Sequence, residues 1–145
     1  PTRRVLGVIR PTVECISPLT QTRHIGILAT SGTIKSESYN IEINKLFPDI
    51  TVVGEACPMW VPLVENNEYN SKGSDYFVQK HINQILDKDP KIDTLILGCT
   101  HYPLLLKKIR EFTRNANVFQ IPLFGGGALG AWYCKQKTHC GFEYH

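Results

Sequence analysis

The chain has 145 residues, 42% hydrophobic and 20% charged, with 16 Lys+Arg against 13 Asp+Glu for a net charge of +3. That length suits a single core, and the composition is that of a soluble globular protein, which excludes a disordered or fibrous chain. The basic residues form no run, which argues against a nucleic-acid surface, and no apolar stretch approaches the ~20 residues needed to span a bilayer.

In chain order, Pro1 to Gly7 has no apolar signal core and does not begin with Met, so the chain is read as an excised or incomplete piece. Short apolar runs then alternate with stretches of helical spacing, an α/β pattern with a parallel sheet and flanking helices. The runs Val5–Ile9, His24–Ala29, Ile50–Gly54, Asp93–Leu97 and Val118–Ile121 show little alternation, as expected of strands buried on both faces. Thr33 to Phe47 carries Tyr39, Ile43 and Leu46 at helical spacing and closes before Pro48, which predicts one helix. Ser74-Asp75 is the expected N-cap of a second helix, with Val78, Ile82, Ile85 and Leu86 on one stripe and Lys88-Asp89-Pro90 as its stop. From residue 122 no period fits, so the chain divides into an α/β domain over 1–121 and an atypical tail over 122–145. A frameshifted or misassembled end is the expectation for that tail, and resequencing the coding region tests it.

Five cysteines, at 15, 57, 99, 134 and 140, are an odd number without repeated spacing. This argues against a disulfide scaffold and for a reducing cytoplasm. Gly125–Gly130 contains G-x-G-x-x-G, but no amphipathic helix follows and no acid stands ~20 residues on, so a dinucleotide site is rejected. Cys134, His139, Cys140 and His145 match no common zinc spacing, and no metal is expected.

Ligands of a parallel sheet bind beyond the carboxyl ends of its strands. That rule points to Ala29–Thr33, Glu55–Pro58 and Gly98–His101. Cys99 follows the strand end Leu95-Ile96-Leu97-Gly98; Gly98 is expected to permit a sharp turn that faces the thiol into the crevice, with nearby amides and the next helix lowering its pKa. His101 can share its proton or donate to a substrate carboxylate. A buried structural cysteine beside a loop histidine is the plainer alternative. Thr30, Ser31 and Thr33 suit a carboxylate or phosphate, or simply cap a helix. Glu65 ends an apolar run, where a partly desolvated carboxyl would have a raised pKa, although such an acid is more often solvated. Cys57, before Pro58, has no base nearby in sequence and reads as packing.

Ile27–Ser36, Glu55–Glu65 and Asp93–Leu105, with Gly7-Val8-Ile9-Arg10-Pro11 before them, closely resemble bacterial glutamate racemase. The likeness covers about residues 5 to 118. It implies a cofactor-independent enzyme of two α/β domains with one cysteine on each face of the substrate α-carbon, interconverting L- and D-glutamate for peptidoglycan. By resemblance, Cys99 is the second-domain cysteine, Glu65 and His101 assist it, and Thr30, Thr33 and Thr100 hold glutamate. A homodimer is compatible with the resemblance. The first-domain motifs, including the other cysteine, have no match here. Rival readings are a cysteine hydrolase or amidase with Cys99 as nucleophile and His101 as base, and a domain that holds glutamate without turning it over.

Overall fold

The computed structural model describes residues 9–14, 16–113 and 117–120. The expected strand at Val5–Val8, Cys15, and the tail 122–145 with Cys134, His139, Cys140 and His145 lie outside them. Four parallel strands, β1 (His24–Ala29), β2 (Thr51–Ala56), β3 (Thr94–Leu97) and β4 (Asn117–Gln120), pair in the order β2-β1-β3-β4. β1 and β3 are central and almost wholly buried, as their unbroken apolar runs predict. β2 departs from that expectation: among the described residues it is an edge strand, with Thr51 exposed and Val52, Val53 and Gly54 only partly covered.

Side chains alternate across the sheet. Ile25, Ile27, Ala29 and Ile96 face one core with Tyr39, Ile43 and Val13, while Leu28, Leu95 and Leu97 face another with Val78, Ile82, Ile85 and Ile109. The first core lies under α1 (Ile9–Glu14) and α3 (Ser38–Leu46); the second lies under α4 (Trp60–Glu65), α5 (Lys72–Lys88) and α6 (Leu106–Thr113). Gly26 leaves room on the sheet for Ile85 of α5. A Cβ there would stand 2.6 Å from Leu95 Cδ2 and 2.7 Å from Ile85 Cδ1.

Three local expectations are corrected. Ile9 belongs to α1 and not to a strand, because Ile9, Val13 and Ile16 form a helical stripe against the first core. The single helix over 33–47 is two, α2 (Ser31–Ser36) and α3, broken at Glu37, whose φ of 54° is left-handed. Ser36 Oγ donates to the Thr33 carbonyl and meets Ser38 Oγ, so hydroxyls replace helix hydrogen bonds at the break. The N-cap of α5 is Ser71, not Ser74: Ser71 Oγ accepts from the Ser74 N–H, and Ser74 is buried with its hydroxyl donating to the Tyr69 and Ser71 carbonyls. Asp75 then falls in the first turn, where a negative charge is favourable.

Asp93 ties the amino-terminal ends of β1 and β3 together. Its carboxylate accepts from Thr20 Oγ1 at 2.7 Å, from the Gln21 and Thr22 N–H groups at 2.7 and 3.0 Å, and from Thr94 Oγ1 at 3.0 Å. Burial works to raise its pKa, but these donors together outweigh it and hold the carboxyl below the usual range. A depressed carboxylate contributes stability that is present above the unfolded-state value near ~4 and is lost as pH falls through the folded-state value. Asp93→Ala is therefore expected to cost about 2 kcal/mol at neutral pH. In urea melts repeated at decreasing pH, its deficit against the wild-type chain should shrink below pH ~4; a constant deficit would contradict this assignment.

Candidate active site

The parallel register aligns the carboxyl ends of β2, β1 and β3. Leu28 pairs with both Glu55 and Leu97, the Gly98 N–H donates to the Leu28 carbonyl at 2.7 Å, and the Cys57 N–H donates to the Ala29 carbonyl at 2.9 Å. The loops at Thr30, Cys57 and Cys99 thus open on one end of the sheet, as the strand-end rule predicts.

Gly98 is needed there for a reason other than the expected one. No described glycine has positive φ. Space makes the demand: a Cβ on Gly98 would stand 3.0 Å from Ala29 Cβ and 3.3 Å from both the Leu28 carbonyl oxygen and Tyr39 Cε2. The backbone can therefore lie flat against β1, and Cys99 emerges at the rim as a free, partly exposed thiol.

The thiol is followed by a polar series. Cys99 Sγ lies 3.9 Å from His101 Nδ1, Thr100 Oγ1 lies 3.5 Å from the same nitrogen, and His101 Nε2 lies 3.3 Å from Glu65 Oε1. The Glu65 side chain is 60% exposed, so of the two readings it is the solvated acid and not the partly desolvated one. Its position at the end of α4 nevertheless brings it to the histidine. When Glu65 accepts the Nε2 proton, His101 presents a bare Nδ1 towards the thiol.

At the end of β1, the plainer expectation for Thr30 is realised: it is the N-cap of α2, accepting from the Thr33 N–H. Its hydroxyl donates to Thr33 Oγ1 at 3.1 Å, which leaves the Thr33 hydroxyl proton available for a ligand. Thr33 also lines a cavity of about 140 Å³ with Glu37, Tyr39 and Gly54. Cys57 is packed, as expected: it is fully buried, its thiol turns to the Glu55 carbonyl, and burial, reinforced by the Glu55 charge, pushes its pKa up. Among the described residues no group of three or more His, Cys, Asp or Glu could hold a metal ion.

Several residues around this site were given no individual role in the sequence reading. Tyr39 packs its ring against Gly98. Trp60 and Tyr102 meet edge to face, with ring centroids 4.9 Å apart. Glu55, at the end of β2, is buried between His81 Nδ1 at 3.1 Å and Lys88 Nζ at 2.6 Å. The spacing of His81 and Lys88 on one helix carried no signal for that pairing, because the carboxylate comes from a different element.

Residues 4–134 match the family model described as Asp/Glu/Hydantoin racemase. The chain belongs to that family. Within the family, it is 44% identical over 134 residues to the glutamate racemase of Persephonella marina, covering 92% of this chain and 49% of that protein. It is 46% identical over 107 residues to the glutamate racemase of Lactiplantibacillus plantarum, covering 74% and 38%. Among solved family structures, glutamate racemase from Bacillus anthracis superposes with a TM-score of 0.78 at 29% identity, over 97% of this chain and 51% of that one. A Francisella tularensis glutamate racemase in complex with D-glutamate gives a TM-score of 0.73 at 26% identity, over 94% and 49%. The chain spans about half the length of the curated relatives it matches.

Proposed function

We propose that this chain carries one face of a glutamate racemase site, interconverting L- and D-glutamate without a cofactor by two-cysteine proton transfer. The Cys99–His101–Glu65 series at the strand ends is the observation that carries this reading. Racemisation takes the weakly acidic α-proton from one face and returns a proton to the other, and a thiol serves as base or acid near neutral pH. Cys99 takes the proton from L-glutamate and reprotonates the carbanion on the way back. His101 receives the thiol proton on Nδ1, and Glu65 steadies the resulting imidazolium through Nε2. The hydroxyls of Thr30, Thr33 and Thr100, with His101, hold the substrate where charge develops on its carboxylate.

The opposite face needs a second thiol. Among the described residues Cys57 does not serve, since its buried sulfur points to the Glu55 carbonyl. The domain over residues 1–121 is thus one half of the machinery, and the whole enzyme supplies D-glutamate for peptidoglycan. Both described cysteines are free, which fits a reducing cytoplasm.

The test is proton NMR of L-glutamate in D2O with the 145-residue chain, run beside an ammonia assay on glutamine. Deuterium entering the α-carbon with no ammonia released is the expected result. Ammonia release without α-deuteration assigns Cys99 to an amidase, and glutamate binding with neither reaction leaves only a holding domain.

A further inference from the structure

Glu65 and His101 come from separate segments, and both side chains are substantially exposed, at 60% and 37%. An exposed ion pair of this kind contributes too little to hold its own geometry. What lies behind each partner is rigid. Glu65 ends the short helix α4, which Trp60 begins; Tyr102 directly follows His101 and opens the 3-10 turn Tyr102–Leu105. Trp60 and Tyr102 are both fully buried and pack edge to face. Trp60 Nε1 donates to the Phe77 carbonyl at 3.2 Å, fixing α4 on α5. The Tyr102 hydroxyl donates to the Cys57 carbonyl at 3.4 Å and its N–H to the Cys99 carbonyl at 3.3 Å, fixing the thiol loop to the β2 loop. The two rings therefore join the segment bearing Glu65 to the segment bearing His101 through the core.

Building on the reading of Cys99 as a proton-transfer thiol, we propose that the Trp60–Tyr102 ring pair is a positioning device that holds Glu65 on His101 and thereby sets the proton affinity of Cys99. The titratable groups about the thiol are His101 with Glu65 behind it, Tyr102 on its own loop, Tyr39 from α3 and Cys57 from the β2 loop. Burial first, and neighbouring thiols second, push both phenols above their usual range, and Cys57 is raised as well. All three are thereby held towards their neutral forms. The His101–Glu65 pair is therefore the charged pair set beside the thiol, and the rings decide whether it is assembled.

Peptide-resolved iodoacetamide alkylation of Cys99 against pH, on the full chain, measures this without requiring turnover. Glu65→Gln is expected to raise the alkylation midpoint by about half a pH unit. Tyr102→Leu should raise it equally, the double variant no further, and Tyr102→Phe, which keeps the ring pair, should stay at the wild-type midpoint. A folded Tyr102→Leu chain with an unmoved midpoint, or a shift that adds in full to that of Glu65→Gln, overturns the positioning role. If Tyr102→Leu does not fold, Trp60→Phe, which withdraws the indole edge from Tyr102, reads the same quantity: a raised midpoint supports the role and an unmoved one overturns it. An unmoved Glu65→Gln midpoint overturns the His101–Glu65 link and the ring pair's role together. Missing α-deuteration with all these shifts present counts against the racemase reading alone.

Discussion

Cys99→Ala is expected to slow α-deuteration of L-glutamate by the chain at least ~100-fold, the lower end of what a positioned general base contributes. The substitution removes the sulfur that faces His101 Nδ1 and leaves Thr30, Thr33, Thr100 and the His101–Glu65 pair in place. Substrate binding should therefore persist while proton removal fails, a loss in rate rather than in affinity. Cys99→Ser should recover little, because a hydroxyl is far less acidic than a thiol and His101 cannot take its proton near neutral pH. Stability should change by no more than about 1 kcal/mol, since the side chain is only partly buried at the rim. The one-faced geometry adds a second expectation: L-glutamate should exchange faster than D-glutamate, since a single thiol reaches a single face of the α-carbon. Equal α-deuteration by the Cys99→Ala and wild-type chains would remove Cys99 from the mechanism.

The strands were legible because burial on both faces leaves an unbroken apolar run, and β1 and β3 are such runs. The edge position of β2 was not, since Thr51-Val52-Val53 has the same texture whether or not a neighbour covers it. Helix limits failed where side-chain hydroxyls compete with the backbone. Tyr39, Ile43 and Leu46 continue one helical stripe through the break at Glu37, and Lys72-Gly73 looks like a loop although it forms the first turn of α5. At the site, the strand-end rule and the resemblance together pick out Cys99, His101, Glu65 and the threonines. Their mutual arrangement was hidden, because Glu65 reaches His101 only after α4 packs on the turn at Tyr102. Trp60 and Tyr102 carried no signal of their own for the same reason: the spacing of two aromatics far apart in sequence does not reveal that their rings will meet. Gly98 was singled out correctly but for a turn, whereas its neighbours require it for space.

Trp60→Ala is expected to lower the free energy of unfolding by about 3–5 kcal/mol. That is a large share of the ~5–15 kcal/mol typical of a domain. The indole is fully buried, and its walls resist collapse, because Tyr102 stands on one edge, His81 on another, and the ring nitrogen is held by the Phe77 carbonyl. Edge-to-face ring pairs add roughly 0.5–1.5 kcal/mol beyond the buried area itself. His81 is tied to the buried Glu55 carboxylate and Tyr102 to the Cys57 carbonyl, so neither neighbouring ring is free to fill the void left by alanine. Urea unfolding followed by circular dichroism measures the loss, with Ile41→Ala as the contrast. Ile41 is 49% exposed, and its truncation should stay within about 0.5 kcal/mol. A Trp60→Ala loss below about 1 kcal/mol would mean that α4 settles into the vacated space. In that event Glu65 would travel with α4, and its contact with His101 would be lost with the indole.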